Sequence, residues 1–429
     1  VTASTLWAAT AREQASYKPL EAACDADIAV IGGGILGLST ALSAAEAGQR
    51  VVLLEAGTIG SGASGRNGGL VVPSLPRVGP DDVLRAMGPE RGARFVQIVL
   101  GAPAEVFGLI RRFAIDCGAA QSGWLNPAHG PAMVAGLQRR LEAWQRFGST
   151  ATLLSAAETR ARTGSPLFHA AIADPTGGHL NPLAYTRGLA QAAAGAGARL
   201  HEASPVLRAR RDGERWRLTT PRGALTAHRV VQATNAQPPG LLESRAASRG
   251  TVPLTVYELA TEVLPDAIRA SILPRDEALS DTRNNLFACC IDDSFRIVTG
   301  GMAPITQLGA HLWLPGMLAR RLSRVFPQLG LQRFDFVWSG RASLTPDFLP
   351  RLYDVAPGWI VPFTCNGRGV ALSTALGLRI GRWLATGVAD DMPLVGTAPS
   401  PIRLHALASR VPQFLLPLGM LADHRNARI

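Results

Sequence analysis

An α/β fold is predicted for this chain of 429 residues: one domain of parallel strands and helices assembled from discontinuous segments, and a second, α+β domain carrying a large antiparallel sheet. Three observations carry the prediction. A strand, a glycine turn, a helix and a second strand follow one another from Asp27 to Leu54. Helix and strand candidates alternate again from Pro182 to Ala233 and around 363–385. Between these stretches, residues 252–300 are mostly strand-like. With 47% hydrophobic residues, the chain is long enough for two or three lobes around sizeable cores.

Taken in order, Asp27-Ile28-Ala29-Val30-Ile31 is too short and too β-branched for a helix and reads as a buried strand. Residues 35–47 form an alanine-rich helix stopped by Gly48, and Val51-Val52-Leu53-Leu54 returns parallel to the first strand through a right-handed crossover. Residues 82–115 and 133–163 have apolar positions three and four apart with arginines between them, and read as a helical layer. A helix begins near Pro182 and runs to Gly197, ahead of strands at Arg199-Leu200-His201, Trp216-Arg217-Leu218-Thr219 and Val230-Val231-Gln232-Ala233. Ser294-Phe295-Arg296-Ile297-Val298 is a further strand, and helices follow near 316–326 and at 370–385. The cofactor domain is therefore drawn as 24–80, 170–247 and 335–390, the substrate domain as 81–169 and 248–334, and 391–429 as a C-terminal extension.

Composition excludes several function classes. The net charge of +11 is dispersed along the chain without a basic tract interleaved with aromatics, so no nucleic-acid partner is expected. Five cysteines without a CxxC pair, and eight scattered histidines, predict no metal and fit a reducing cytoplasm. No run of apolar residues long enough to span a bilayer and no secretory leader is apparent, which reads as a soluble, cytoplasmic protein.

Gly32, Gly34 and Gly37 form a GxGxxG pattern between strand and helix, the mark of a Rossmann-like dinucleotide site. Gly32 permits the tight turn, Gly34 lets the backbone approach a diphosphate, and Gly37 lets helix and strand pack closely. Ile35 opens the helix, whose free N–H groups and partial positive charge suit an anion. Glu55, eighteen residues beyond Gly37 at the end of the second strand, can accept hydrogen bonds from both ribose hydroxyls and would repel a 2′-phosphate.

The next loop makes the pattern specific. Glu55-Ala56 followed by Gly60-Ser61-Gly62-Ala63-Ser64-Gly65-Arg66-Asn67-Gly68-Gly69 resembles the glycine oxidase, sarcosine oxidase and D-amino-acid oxidase superfamily of flavoproteins, in particular the branch typified by γ-glutamylputrescine oxidase. Val206 resembles the strand end whose backbone meets the adenine, Ala233-Thr234 the family's second dinucleotide turn, and Gly367-Arg368-Gly369-Val370 its C-terminal flavin motif. The resemblance covers roughly residues 24–390. It implies a glutathione-reductase-type domain binding FAD, with Ser64, Gly65, Arg66, Asn67 and Gly68 beside the diphosphate and ring, and Arg368 at the ring's pyrimidine end. No second GxGxxG unit offers an NAD(P)H site, and the early loop lacks the His or Cys that tethers flavin in some relatives, so non-covalent FAD is expected; Cys365 is the one alternative attachment point.

The resemblance further implies oxidation of a C–N bond in a small amine or amino acid, by hydride transfer to flavin N5 and hydrolysis of the imine. The nitrogen lone pair drives that step, so no triad or carboxylate pair is required. Arg341 and Arg296 are the candidate carboxylate anchors, although Ala342 falls on the position where glycine oxidases carry theirs; Tyr257 is a candidate pocket wall, and Cys289-Cys290 either shape the pocket or fill the core. Lys18 is the only lysine and precedes the cofactor motif, which leaves open whether O2 or a quinone or other carrier takes the electrons. Residues 401–429, with Phe414-Leu415-Leu416 among arginines, either pack on their own domain, the favoured reading, or touch a membrane surface. Two further readings stay open: a flavoenzyme of specialised metabolism acting on a larger intermediate, and a flavin-bearing subunit of a heteromeric dehydrogenase.

Overall fold

The computed structural model describes residues 5–14, 16–236, 241 and 243–427; the ranges 170–247 and 391–429 drawn above include a few residues outside that set. The first sheet has a parallel centre in the order Arg199–His201, Val51–Leu54, Ala23–Ile31, Ala224–Gln232, Trp359–Phe363. Its strands come from three distant stretches because each apolar run, such as the wholly buried Val51–Leu54, needs a partner on both edges. A meander of Arg208–Asp212 and Arg215–Thr219 turns back antiparallel on Ala224–Gln232, which is nine residues long where the sequence suggested only its end.

The helix Ile35–Glu46 packs on one face of this sheet, between the helices Pro182–Gly195 and Gly369–Thr386. Its glycine neighbours set the distance: a Cβ on Gly377 would lie 2.7 Å from that of Ser39. Two helical expectations are corrected. The stretch 82–115 is two helices, Pro80–Met87 and Pro89–Arg112, because Gly88 takes φ 82° and Pro89 can only open a new helix. The stretch 133–163 contains the strand Thr152–Leu154 between Val134–Gln145 and Ala156–Thr163, where the sheet edge overrides helical spacing.

The second sheet runs in the order Phe334–Leu344, Val252–Thr261, Ile297–Gly301, Ala288–Ile291, Ala278–Ser280, Trp124–Pro127, Ala171–Asp174, Thr152–Leu154. All its pairs are antiparallel except Ala278–Ser280 with Trp124–Pro127. The pairing moves two boundaries: residues 171–174 and 334–344, assigned above to the cofactor domain for the most part, hydrogen-bond into the substrate sheet. Gly396–Thr397 of the C-terminal extension instead joins the edge of the first sheet.

Both chain ends close over this frame. Near the N-terminus, Leu6 and Trp7, in the short helix Leu6–Thr10, are buried with Leu183, Cys290 and Trp338. The helix Val411–Asn426 lies on the substrate domain through buried Leu416 and Asp423, leaving Phe414, Leu415, Leu418 and Leu421 exposed. Among the described residues one helix, Pro89–Arg112, is long and apolar enough by composition to cross a membrane. Its apolar stripe of Phe95, Val96, Val99, Ala102 and Val106 is buried against Gly369–Thr386.

Candidate active site

A single cleft of about 830 Å³ runs from the glycine turn, past Glu55 and Val206, along the loop 60–68, to the wall strand Val252–Thr261 and the start of the helix Gly369–Thr386. Such a volume lies in the upper part of the ligand-site range of about 300–1,000 Å³. At the turn the backbone comes close on every side. Gly32 has φ 111° and a Cβ there would stand 2.8 Å from the carbonyl oxygen of Ala233. One on Gly34 would stand 2.7 Å from Ser64 Oγ, and one on Gly37 only 2.1 Å from the Gly32 carbonyl oxygen. Gly32 and Gly37 are therefore required by backbone contact, Gly34 keeps the cleft open beside Ser64, and Gly37 serves packing without lining the cleft.

Glu55 is held in place by the same turn. Its Oε2 accepts from Gly33 N–H at 2.7 Å and its Oε1 from Gly57 N–H at 2.8 Å. Each oxygen retains further acceptor capacity, and Glu55 lines the cleft together with Ala56 and Val206. Ser64 Oγ accepts from Ile35 N–H at 2.9 Å, at the open N-terminus of the turn helix.

The loop that follows is braced from within and from the substrate sheet. Asn67 Nδ2 donates to the carbonyls of Ala63 and Ser64, and its Oδ1 accepts from Gly69 N–H. Arg66 Nε donates to the Ser339 carbonyl at 2.6 Å while Trp338 Nε1 donates to the Arg66 carbonyl at 3.0 Å. Gly65 does not line the cleft; a Cβ there would meet the Gly60 carbonyl oxygen at 2.4 Å, so it lets the loop close on Leu183. Trp7 Nε1, donating to the Asn67 carbonyl at 2.7 Å, adds a brace that nothing in the sequence pattern announced.

At the other end, Ala233, Thr234, Gly367, Arg368, Gly369 and Val370 all border the cleft. Arg368 donates to Ser74 Oγ and to the Leu75 carbonyl, and its guanidinium lies 5.1 Å from the Trp124 ring. Burial, and then the neighbouring Arg140, hold its pKa well below the usual arginine value. Arg140 itself is lowered to about 10 by burial. Neither arginine has a carboxylate partner among the described residues, so this end of the cleft carries uncompensated positive charge.

The residues present fit an extended dinucleotide: side-chain-free glycines where a diphosphate needs approach, a carboxylate at ribose distance in the sequence pattern, and a basic group at the far end. The thiol of Cys365 borders the cleft, and burial pushes its pKa up, so it is held as the unreactive thiol.

The substrate-side expectations fare differently. Alternation along Val252–Thr261 points Leu254, Val256 and Glu258 into the cleft and Tyr257 to the opposite face, where it packs toward Leu259, Leu314 and Leu318. Tyr257 is thus not a pocket wall. Arg341 borders the cleft but pairs with Thr255, on the other pleat from Ala342, which pairs with Leu254; its side chain is exposed at the rim. Arg296 lies outside the cleft. The expected strand at 294–298 begins only at Ile297, because Asp292 Oδ1 accepts from Arg296 N–H in a tight turn with Phe295 at φ 63°, and Arg296 pairs with Asp335. Cys289 and Cys290 are both buried and do not line the cleft; Cys290 Sγ donates to the Gly68 carbonyl at 3.6 Å. Lys18 is exposed and remote, its carbonyl accepting from His201.

Sequence reasoning missed Glu258. The signal was present, since a carboxylate stands inside the apolar strand run Val256-Tyr257-Glu258-Leu259-Ala260. It faces the cleft, half-buried, and makes no hydrogen bond or ion pair with a described residue. Loss of solvent pushes its pKa up to about 8.

Comparison with known proteins agrees with this geometry. Residues 27–383 match the family model described as FAD dependent oxidoreductase. Gamma-glutamylputrescine oxidoreductase of Escherichia coli (strain K12) is 31% identical over 349 residues, covering 81% of each chain. A probable oxidoreductase OrdL of Rhizobium meliloti (strain 1021) is 30% identical over 90% of this chain and 89% of its own. The crystal structure of glycine oxidase from Geobacillus kaustophilus superposes with a TM-score of 0.71 at 22% identity, over 88% of this chain and 99% of that one. With the glycine turn, its acidic partner and the distant loops converging on one cleft, the chain belongs to the FAD-dependent oxidoreductase family that includes these enzymes.

Proposed function

We propose that this enzyme oxidises the C–N bond of an amine or amino acid. The observation that carries the reading is the composition of the cleft beyond the FAD seat, where Leu254, Val256, Val298 and Met302 make an apolar chamber and Glu258 is its free polar side chain on the wall strand. The relatives act on a γ-glutamylated amine and, for glycine oxidase, on an amino acid, by their names. Bound FAD supplies the two-electron acceptor for a hydride leaving the substrate's α-carbon, and the resulting imine is hydrolysed by water.

The chain's own residues do the rest. Gly32, Gly34, Ile35, Glu55, Ala56 and Val206 hold the adenylate and diphosphate half of FAD. Ser64, Arg66, Asn67, Gly68, Ala233 and Thr234 line its path, and Gly367, Arg368, Gly369 and Val370 take the ring end. The positive charge of Arg368 and the N-terminus of Gly369–Thr386 favour electron density added there. The apolar chamber orients the α-carbon and excludes water until hydride has left. Five unpaired cysteines suit a reducing compartment such as cytoplasm.

Anaerobic mixing with a panel of aliphatic amines and amino acids, followed by flavin absorbance, tests this. Bleaching by a member of the panel is expected, and a flavin that stays oxidised across all of it overturns the reading. Oxygen uptake in the same assay then distinguishes O2 from a quinone or carrier as the acceptor.

A further inference from the structure

We infer that Glu258 receives the substrate's protonated nitrogen and takes its proton, which makes the substrate a primary or secondary aliphatic amine that is cationic in solution. This deepens the function proposed above and rests on it. The carboxylate lies where the wall strand, the cofactor loop and the strand Ile297–Gly301 meet. A Cβ on Gly68 would lie 3.4 Å from its Oε2, and one on Gly300 only 2.3 Å away. Gly300 thus leaves the space that the carboxylate fills, with Gly68 of the cofactor loop in contact range, and a side chain on Gly300 would displace it.

The surroundings leave the carboxylate without a protein partner. Arg66 on the loop donates through Nε to the Ser339 carbonyl and makes no ion pair with Glu258, and Arg341 on Phe334–Leu344 sits on the other pleat. Arg321, from the helix Ala310–Val325, donates to the carbonyls of Asn285, Leu286 and Gly300. Cys290 donates to the Gly68 carbonyl, Tyr257 faces away, and the strand Ile297–Gly301 carries no titratable side chain. A partnerless carboxylate in an apolar chamber is costly unless a cation arrives or it is neutralised. An alkylammonium does both. The N–H bond breaks, the proton moves to a carboxylate oxygen of Glu258, and the electron pair stays on nitrogen as the lone pair that drives loss of hydride from the α-carbon. Burial that raises the carboxylic acid and lowers the ammonium brings their proton affinities together, which makes the transfer possible.

The test uses FAD-loaded enzyme and its E258Q variant with butylamine under anaerobic stopped flow. Wild-type flavin reduction should rise up to about pH 8, where the carboxylate ionises, and level off above it, whereas E258Q, at equal FAD content, should show no plateau there. The variant should instead keep rising about tenfold per pH unit toward the amine's own pKa near 10, as free base becomes available in solution. A purely structural glutamate would leave the two profiles alike. Infrared difference spectra supply a readout without turnover: tert-butylamine has no α-hydrogen to lose, and its binding above pH 8 should raise a protonated-carboxyl band in the wild type that E258Q lacks. If butylamine bleaches both proteins with the same pH profile, or no such band appears, the assignment to Glu258 falls while the function proposed above stands. If wild-type flavin responds only to amino acids, the inference falls with the amine class; if it responds to nothing, both fall.

Discussion

At the scale of single residues, contact distances decide what each position tolerates. A side chain on Gly34 would crowd Ser64 Oγ and enter the space a diphosphate needs, so Gly34→Val should yield folded protein with little FAD, measured as the ratio of flavin to protein absorbance after purification. The half-buried thiol of Cys365 has its pKa raised by loss of solvent, which disfavours the thiolate, and acid precipitation should therefore release free FAD into the supernatant; flavin retained in the pellet would show a covalent link. Glu258 has a consequence for stability as well. Its folded pKa, about 8, lies above the usual 4.5, so the folded state holds a proton that the unfolded chain has lost. The stability this contributes is complete below the unfolded value and is lost as pH rises toward the folded one. The enzyme should melt at falling temperatures between those limits, and E258Q should remove that slope in calorimetry.

At the scale of elements, the pleat of Val252–Thr261 separates two neighbours completely. Glu258 faces the cleft and Tyr257 the helix Ala310–Val325, so Tyr257→Phe should change the KM for substrate by no more than about twofold, the range of substitutions away from a site. The first helix is a brace of the cofactor loop, since Trp7 is 2% exposed, stands edge-on to Trp338 with centroids 6.0 Å apart, and donates to Asn67. Trp7→Ala should cost about 3–5 kcal/mol by thermal or denaturant unfolding and hasten FAD dissociation, because both the core contact and the loop's anchor are removed. Neither the tryptophan's burial nor the turn at Asp292–Arg296 follows from local pattern; one depends on a contact 60 residues away, the other on a side chain accepting from the backbone.

At the scale of the molecule, the C-terminal helix is coupled to the cleft. Asp423 accepts from Asn284 N–H at 2.9 Å and Asn284 Nδ2 at 2.8 Å, and the adjoining Asn285 and Leu286 line the cleft. Asp423→Ala leaves those donors unsatisfied, at about 1–3 kcal/mol, and should raise KM without lowering FAD content; an unchanged KM would show the helix to be independent of the site. The C-terminal extension, expected from the sequence to pack on its own domain, is at Asp423 part of the substrate domain's support.

What the sequence determined by itself is the cofactor half of this protein. The turn Gly32–Gly37 and Glu55 are legible because a diphosphate on a helix N-terminus demands fixed residue types at fixed short spacings, and local chemistry is written locally. The substrate half was decided only by tertiary structure. Whether Tyr257 or Glu258, Arg341 or Ala342, meets the substrate depends on pleat and register, which shift every side chain to the other face with a single residue's slip. The free carboxylate of Glu258 exists because Gly300, on the neighbouring strand, clears its space and no partner among the described residues reaches it, a circumstance that no window of sequence contains.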